Sequence, residues 1–185
     1  MTRIRQSVHA FAGSALAVVI AGVVALLTGQ PWLFPSLGPA VMLHVEKPDS
    51  PESSPRNTLI GHGVALLAGY GFLVVCGLTD NPSVLQEGVG GWRIVAAAGS
   101  LAVTALVLVL VKAPHPPAGA TTLIVSLGLL TTPTQLLVAA GAVVLVTAVD
   151  WLYGRASGRP MPLWAASQTS SEGARRGGPD RRPVG

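Results

Sequence analysis

Residues 113–149 read APHPPAGATTLIVSLGLLTTPTQLLVAAGAVVLVTAV, without one Asp, Glu, Lys or Arg. From Thr134 the stretch is a clean apolar run that reaches Trp151. That is long enough for a bilayer core, which takes ~20 helical residues. The first half differs. His115-Pro116-Pro117 opens it, Gly119 and Gly128 interrupt it, and its apolar part is too short to span alone. Irregular, uncharged backbone at membrane depth is tolerated only against protein or a wet cavity. A broken piece beside a clean helix therefore marks an integral membrane protein, and marks where its site should lie.

Three more charge-free stretches flank this one, from Gln6 to Val45, Asn57 to Thr79 and Ile94 to Val111. The first repeats the pattern of a span followed by a piece broken at Pro31, Pro35, Gly38 and Pro39. The expected fold is an all-α membrane protein with spans near 8–28, 59–78, 92–111 and 134–151. Two short re-entrant half-helices are expected near 35–44 and 117–129. Trp32, Trp92, Trp151 and Tyr153 fall at run ends, where amphipathic rings sit at the membrane interface.

Composition agrees. Only 11% of the 185 residues are charged, against about 25% in soluble domains. Arg155, Arg159, Arg175, Arg176, Arg181 and Arg182 crowd the last residues, so the net charge of +4 is a tail property and no nucleic-acid partner is expected. Residues 154–185, rich in Arg, Gly, Pro and Ser, are expected to be disordered. Cys76 is the only cysteine, which excludes an intramolecular disulfide. Arg3 and Arg5 before an apolar run resemble the front of a signal peptide, but the run is long and no small-residue cleavage site follows. It reads as a retained first span.

With four spans, Arg3, Arg5, Arg93, Arg155 and Arg159 lie on one side and Lys47, Arg56 and Lys112 on the other. The excess predicts both termini in the cytoplasm, for a chain in the plasma (inner) membrane. Setting Pro35 on Pro116 places Gly38 on Gly119 and Leu43 on Ile124, a faint repeat of about 80 residues. If the broken pieces re-enter without crossing, each unit crosses an even number of times and the two units are parallel. Gly61, Ala65 and Gly69 in the second span, four residues apart, suit close helix packing in lipid.

The chemistry should lie at the two broken pieces. Proline fits a first helical turn, where its missing N–H has no partner to lose. After Pro116-Pro117, the amides of Ala118, Gly119 and Ala120 should then lack intrahelical acceptors. After Pro35 the same holds for Ser36, Leu37 and Gly38, whereas Pro39 cannot donate. Such helix starts carry the positive dipole end and bind anions. Thr121 and Thr122 add hydroxyls one turn in. Arg56, Asn57 and His62 lie at the entrance to the second span, and ionisable groups at membrane depth are functional candidates by default. His62 and His115 could hold or pass a proton. The alternative is that the prolines only bend the chain and cap short helices.

Enzyme signatures are absent. His44-Val45-Glu46 imitates the H-x-E of zinc deaminases without the P-C-x-x-C partner. No H-E-x-x-H, G-x-S-x-G or phosphate-loop sequence occurs. No cofactor or metal is expected.

His115-Pro116-Pro117-Ala118-Gly119-Ala120-Thr121-Thr122-Leu123-Ile124 resembles the signature of the HPP family of small integral membrane proteins. Phe34 to Leu43 is similar to that family's first broken segment, and Pro51 to Asn57 followed by Gly61-His62 to its P-E-S-P…P-R-N…G-H stretch. The similarity covers roughly Val8 to Trp151. It implies four spans, and nitrite transport as described for plant and cyanobacterial members. Pro39 stands where a small residue is more usual. The tail is too short for the nucleotide-sensing CBS pair that some relatives carry.

The expected function is a transporter or channel for a small anion, possibly nitrite, bound by the half-helix starts. His115 would orient or protonate it and Arg56 would attract it. A homo-oligomer in the lipid bilayer is expected. The alternatives are a non-transporting accessory or sensor subunit, and a proton or cation transporter if His62, His115 and Glu46 converge.

Overall fold

The computed structural model of the protein describes residues 3–159 and 161–166. Among these there are seven α-helices and one short 3-10 turn, and no strand. The helices are α1 (Arg3–Thr28), α2 (Leu37–Glu46), α3 (Pro55–Val75), α4 (Val84–Glu87), α5 (Gly91–Leu110), α6 (Pro117–Ser126) and α7 (Pro133–Ala156). Four of them, α1, α3, α5 and α7, are long and apolar enough to cross a membrane.

Local chemistry sets the boundaries. Ser54 accepts from the Asn57 amide and Pro55 takes the first helical position, so α3 begins at Pro55 rather than at Leu59 as expected. Thr132 and Gln135 close a capping box ahead of Pro133, which starts α7. Gly29 (φ 64) ends α1 and Gly128 (φ 83) follows the end of α6, both in the left-handed region that glycine enters freely. The second half-helix therefore stops at Ser126 and not at residue 129. The fourth span runs past Trp151 to Ala156, and Met161 is buried beyond it. Residues 154–156 of the expected disordered tail are thus helical, while 167–185 lie outside the described residues.

The long helices stand in a row, α1 against α7, α7 against α3, and α3 against α5. On this row, α2 packs against α1 and α7, and α6 against α3 and α5; the two short helices also touch each other. Small residues allow the closest approach. A Cβ on Gly61 would lie 2.8 Å from the Cβ of His115, and one on Gly69 would lie 2.7 Å from that of Val125. The small-residue stripe on α3 is where α6 docks. Leu37, Val41, Leu66, Leu73, Val125 and Val143 fill the core between the layers.

The short helices do not return to the end at which their segments enter. Residue 29 follows the end of α1, yet Glu46 and Lys47 share a groove with Arg3, Gln6, Ser7 and Ala10 at its start. Arg56 at the start of α3 bonds the carbonyls of Val111 and Lys112 at the end of α5. From there, residues 113–128 climb back to Arg93 in the first turn of α5, whose guanidinium donates to Ser126 O. Each broken segment therefore runs the length of the bundle, and the expected re-entrant geometry does not hold. The reason is the extended stretch before each short helix. A ten-residue helix covers only about 15 Å, and extended residues at ~3.3 Å each cover the rest.

The unit α1–α2–α3 thus makes three traversals, and α5–α6–α7 makes three in the opposite sense. An odd number inverts the second unit relative to the first, in place of the parallel arrangement expected from an even count. The packing matches this inversion. Each short helix lies on the first helix of its own unit and the last helix of the other.

Candidate functional site

The two proline-led helix starts do not face one another. They pass side by side, with Pro39 and Leu43 of α2 lining a groove of about 280 Å³ with Pro116, Pro117 and Ala120 of α6. Nor are their leading amides free. Leu37 and Gly38 donate to the carbonyls of Phe34 and Pro35, and Ala118 and Gly119 to those of His115 and Pro116. A tight turn precedes each helix and supplies the acceptors that an abrupt proline start would lack. Ser36, Leu37, Pro117 and Ala118 are buried, and Pro116 is exposed. Gly38, Gly119 and Ala120 are partly exposed. For these four amides the expectation of unpaired main-chain donors open to solute is thereby corrected, and burial of Ser36 closes its amide to solute.

Side chains occupy the place the amides were expected to fill. Ser36 Oγ lies 2.6 Å from Thr121 Oγ1, and Thr121 Oγ1 lies 2.7 Å from His62 Nδ1. His62 Nε2 meets His115 Nε2 at 3.2 Å, and His115 Nδ1 reaches the Glu52 carbonyl at 2.8 Å. Every side chain in this line is at most 2% exposed. A carbonyl only accepts, so His115 Nδ1 carries the hydrogen. With both imidazoles neutral, the remaining directions follow one after another. His62 Nε2–H donates to His115, Thr121 O–H donates to His62, and Ser36 O–H donates to Thr121. The line runs one way, from the start of α2 to the loop before α3. Thr122 lies alongside, 2.9 Å from Thr104 of α5 and donating to Ala118 O.

Arg56 and Asn57 have a different place. Arg56 is fastened to Asn57 Oδ1 and to two carbonyls at the end of α5, where a cation offsets the negative dipole end. Asn57 is buried and donates to Pro51 O. Both brace the joint between α3 and α5 and stand outside the line of histidines and hydroxyls.

His62 and His115 do come together, but Glu46 is exposed and does not join them. A carboxylate enters from elsewhere. Asp150 of α7 lies 2.8 Å from His44 Nδ1, with both side chains buried, and His44 Nε2 lies 3.0 Å from Thr58 Oγ1. His44 and His115 ring centroids are 6.3 Å apart, so the pair flanks the line. Asp150 was legible in one respect. It is a carboxylate within the last span, and such a residue is a candidate by default.

A family model described as HPP, transmembrane region, matches residues 1–162. No curated protein and no solved structure matches the chain. The line of buried histidines and hydroxyls is built on His115-Pro116-Pro117 and Gly61-His62, two of the motifs on which the resemblance rests. With four apolar helices and a match over most of its length, this chain is a membrane protein belonging to the HPP transmembrane family.

Proposed function

We propose that the protein transports a small anion of the nitrite class across the plasma membrane, with the anion held at the line from Ser36 to His115. The observation that carries this reading is that line itself. Four buried polar side chains from α2, α3, α6 and their connections converge in the apolar core of a bilayer protein, where two imidazoles are costly without a function. On binding, the hydroxyl and imidazole N–H groups that now bond to one another would turn to the anion as donors, beside the positive dipole end of α6. The inverted units favour transport, because such repeats can rock against each other around a site between them. The faint likeness of Pro35–Leu43 to Pro116–Ile124 accords with a duplication.

The traversals support one sense of insertion. Arg3, Arg5, Lys47, Arg56, Lys112, Arg155 and Arg159 gather at the end that holds both described termini, leaving Arg93 at the other. That end is cytoplasmic by the positive-inside rule. Extended backbone at membrane depth needs protein cover, so a second copy of the chain covers the α2–α6 face.

One observation favours a non-transporting accessory subunit instead. The groove beside His115, about 290 Å³ and lined by Leu101, Leu108, Val109 and Pro116 among others, is almost wholly apolar. Reconstitution into liposomes decides between the two, with flux of nitrite, chloride, formate and protons compared. Saturable anion flux above that of protein-free vesicles supports the transporter. Folded protein that moves none of the four refutes it.

A further inference from the structure

We propose that His44 and Asp150 form the binding site for a proton that is carried together with the anion. The proposal rests on the transport reading and names its coupling ion.

Hydrogen positions around the pair can be counted. Thr58 has one hydroxyl hydrogen, and it points to the Ser54 carbonyl at 3.1 Å. Its oxygen is then an acceptor for His44 Nε2–H at 3.0 Å. With Nε2 protonated, the 2.8 Å contact between His44 Nδ1 and Asp150 Oδ2 must itself contain a proton. That proton sits on nitrogen as an imidazolium–carboxylate pair, or on oxygen as a neutral acid beside a neutral imidazole. In both forms the pair has no net charge. Loss of the proton leaves one buried negative charge.

Asp150 is built to release that proton only when water arrives. Its Oδ1 is buried and has no hydrogen-bond partner, which is rare for a carboxylate oxygen. No Lys or Arg among the described residues pairs with it. The other titratable or charged groups nearby are His115 before α6, His62 on α3, His9 on α1, Tyr153 on α7, and Arg159, which donates to Val45 O at 3.5 Å. None of these supplies a second hydrogen bond to the carboxylate. A bare carboxylate there is costly in an apolar interior.

The coupling is electrostatic. An anion at His62 and His115 would stand beside a second negative charge if the pair were unprotonated. With the proton in place, one anion and one proton enter together and the net charge of the core is unchanged. By linkage, each raises the affinity for the other equally. The pair joins α2 of the first unit to α7 of the second, at a contact that rocking of the units would loosen.

The test uses the whole chain in liposomes, with nitrite as the probe and a trapped pH dye. An inward gradient of one pH unit should drive the wild type toward about tenfold nitrite accumulation, with one proton entering per nitrite. D150N and H44Q should lose that accumulation. Wild-type nitrite flux with no accompanying proton overturns the coupling but leaves the transport reading standing. Gradient-driven accumulation that survives in folded D150N overturns the assignment of the proton to this pair, and it too leaves the transport reading standing. A wild type that moves no anion overturns both. The dye measurement on the wild type decides the matter even if neither variant folds.

Discussion

His62 Nε2 and His115 Nε2 meet at 3.2 Å, so one ring donates and the other accepts. Because His115 already donates through Nδ1 to Glu52 O, the neutral pair has one arrangement only. Protonating His115 would make it a double donor. It would then turn His62 round, and with it Thr121 and Ser36. The direction of the whole line is set by one proton.

Removing a member should therefore cost function more than folding. His115→Ala leaves His62 Nε2–H buried without its acceptor, a loss of about 1–3 kcal/mol. Nitrite uptake should fall about tenfold or more for each ~1.4 kcal/mol withdrawn from solute binding, while the amount of protein in the membrane stays the same. Unchanged uptake by folded His115→Ala would remove the residue from the site.

The docking of α6 on α3 gives a graded packing test. Gly61→Ala places a methyl against the His115 side chain and Gly69→Ala places one against Val125 and the Thr122 carbonyl. Each should destabilise by about 1–3 kcal/mol, the range for overpacking a tight contact. Gly63→Ala on the same helix meets nothing within 4 Å and should be tolerated. Thermal unfolding in detergent ranks the three. Equal melting temperatures would mean that α6 does not sit where described.

Arg93 is 5% exposed and its guanidinium donates to the carbonyls of Pro82, Asn81 and Ser126. Arg93→Met keeps much of the stem but strands those acceptors near the end of α6. A loss of about 2–3 kcal/mol is expected, since bonds from a charged donor are the stronger kind. Arg93→Lys should recover only part of it, because a point charge cannot span three carbonyls as a planar fork does. A Lys variant as stable as the wild type argues against the fork.

Six traversals and four place the loops differently. In a Cys76→Ala background, a cysteine at Asp49 should react with an impermeant thiol reagent from the side that holds the termini. One at Asp80 should react from the opposite side. Re-entrant half-helices would reverse both results.

Much was readable from the residues alone. Charge-free runs located the four long helices to within a few residues, because lipid as solvent fixes both their length and their composition. Ser36, His62, His115 and Thr121 were candidates from their position beside prolines and inside apolar runs, and the fold brings the four together. Gly61 and Gly69 were matched to close packing. These are local properties, set by chain chemistry within a few residues.

The direction of the broken segments was not local. It depended on how far residues 29–36 and 113–116 extend, which packing against the row of long helices decides. The pairing of His44 with Asp150 links residues 106 apart in the chain, and no spacing rule brings them together. The amides of Leu37, Gly38, Ala118 and Gly119 were lost as donors to carbonyls just upstream, which became acceptors only once the turn closed. Sequence alone settled which segments belong in the membrane, since transfer from water to lipid acts on each segment separately. Tertiary structure decided which polar groups meet there, since a buried hydrogen bond requires both of its partners to be in place.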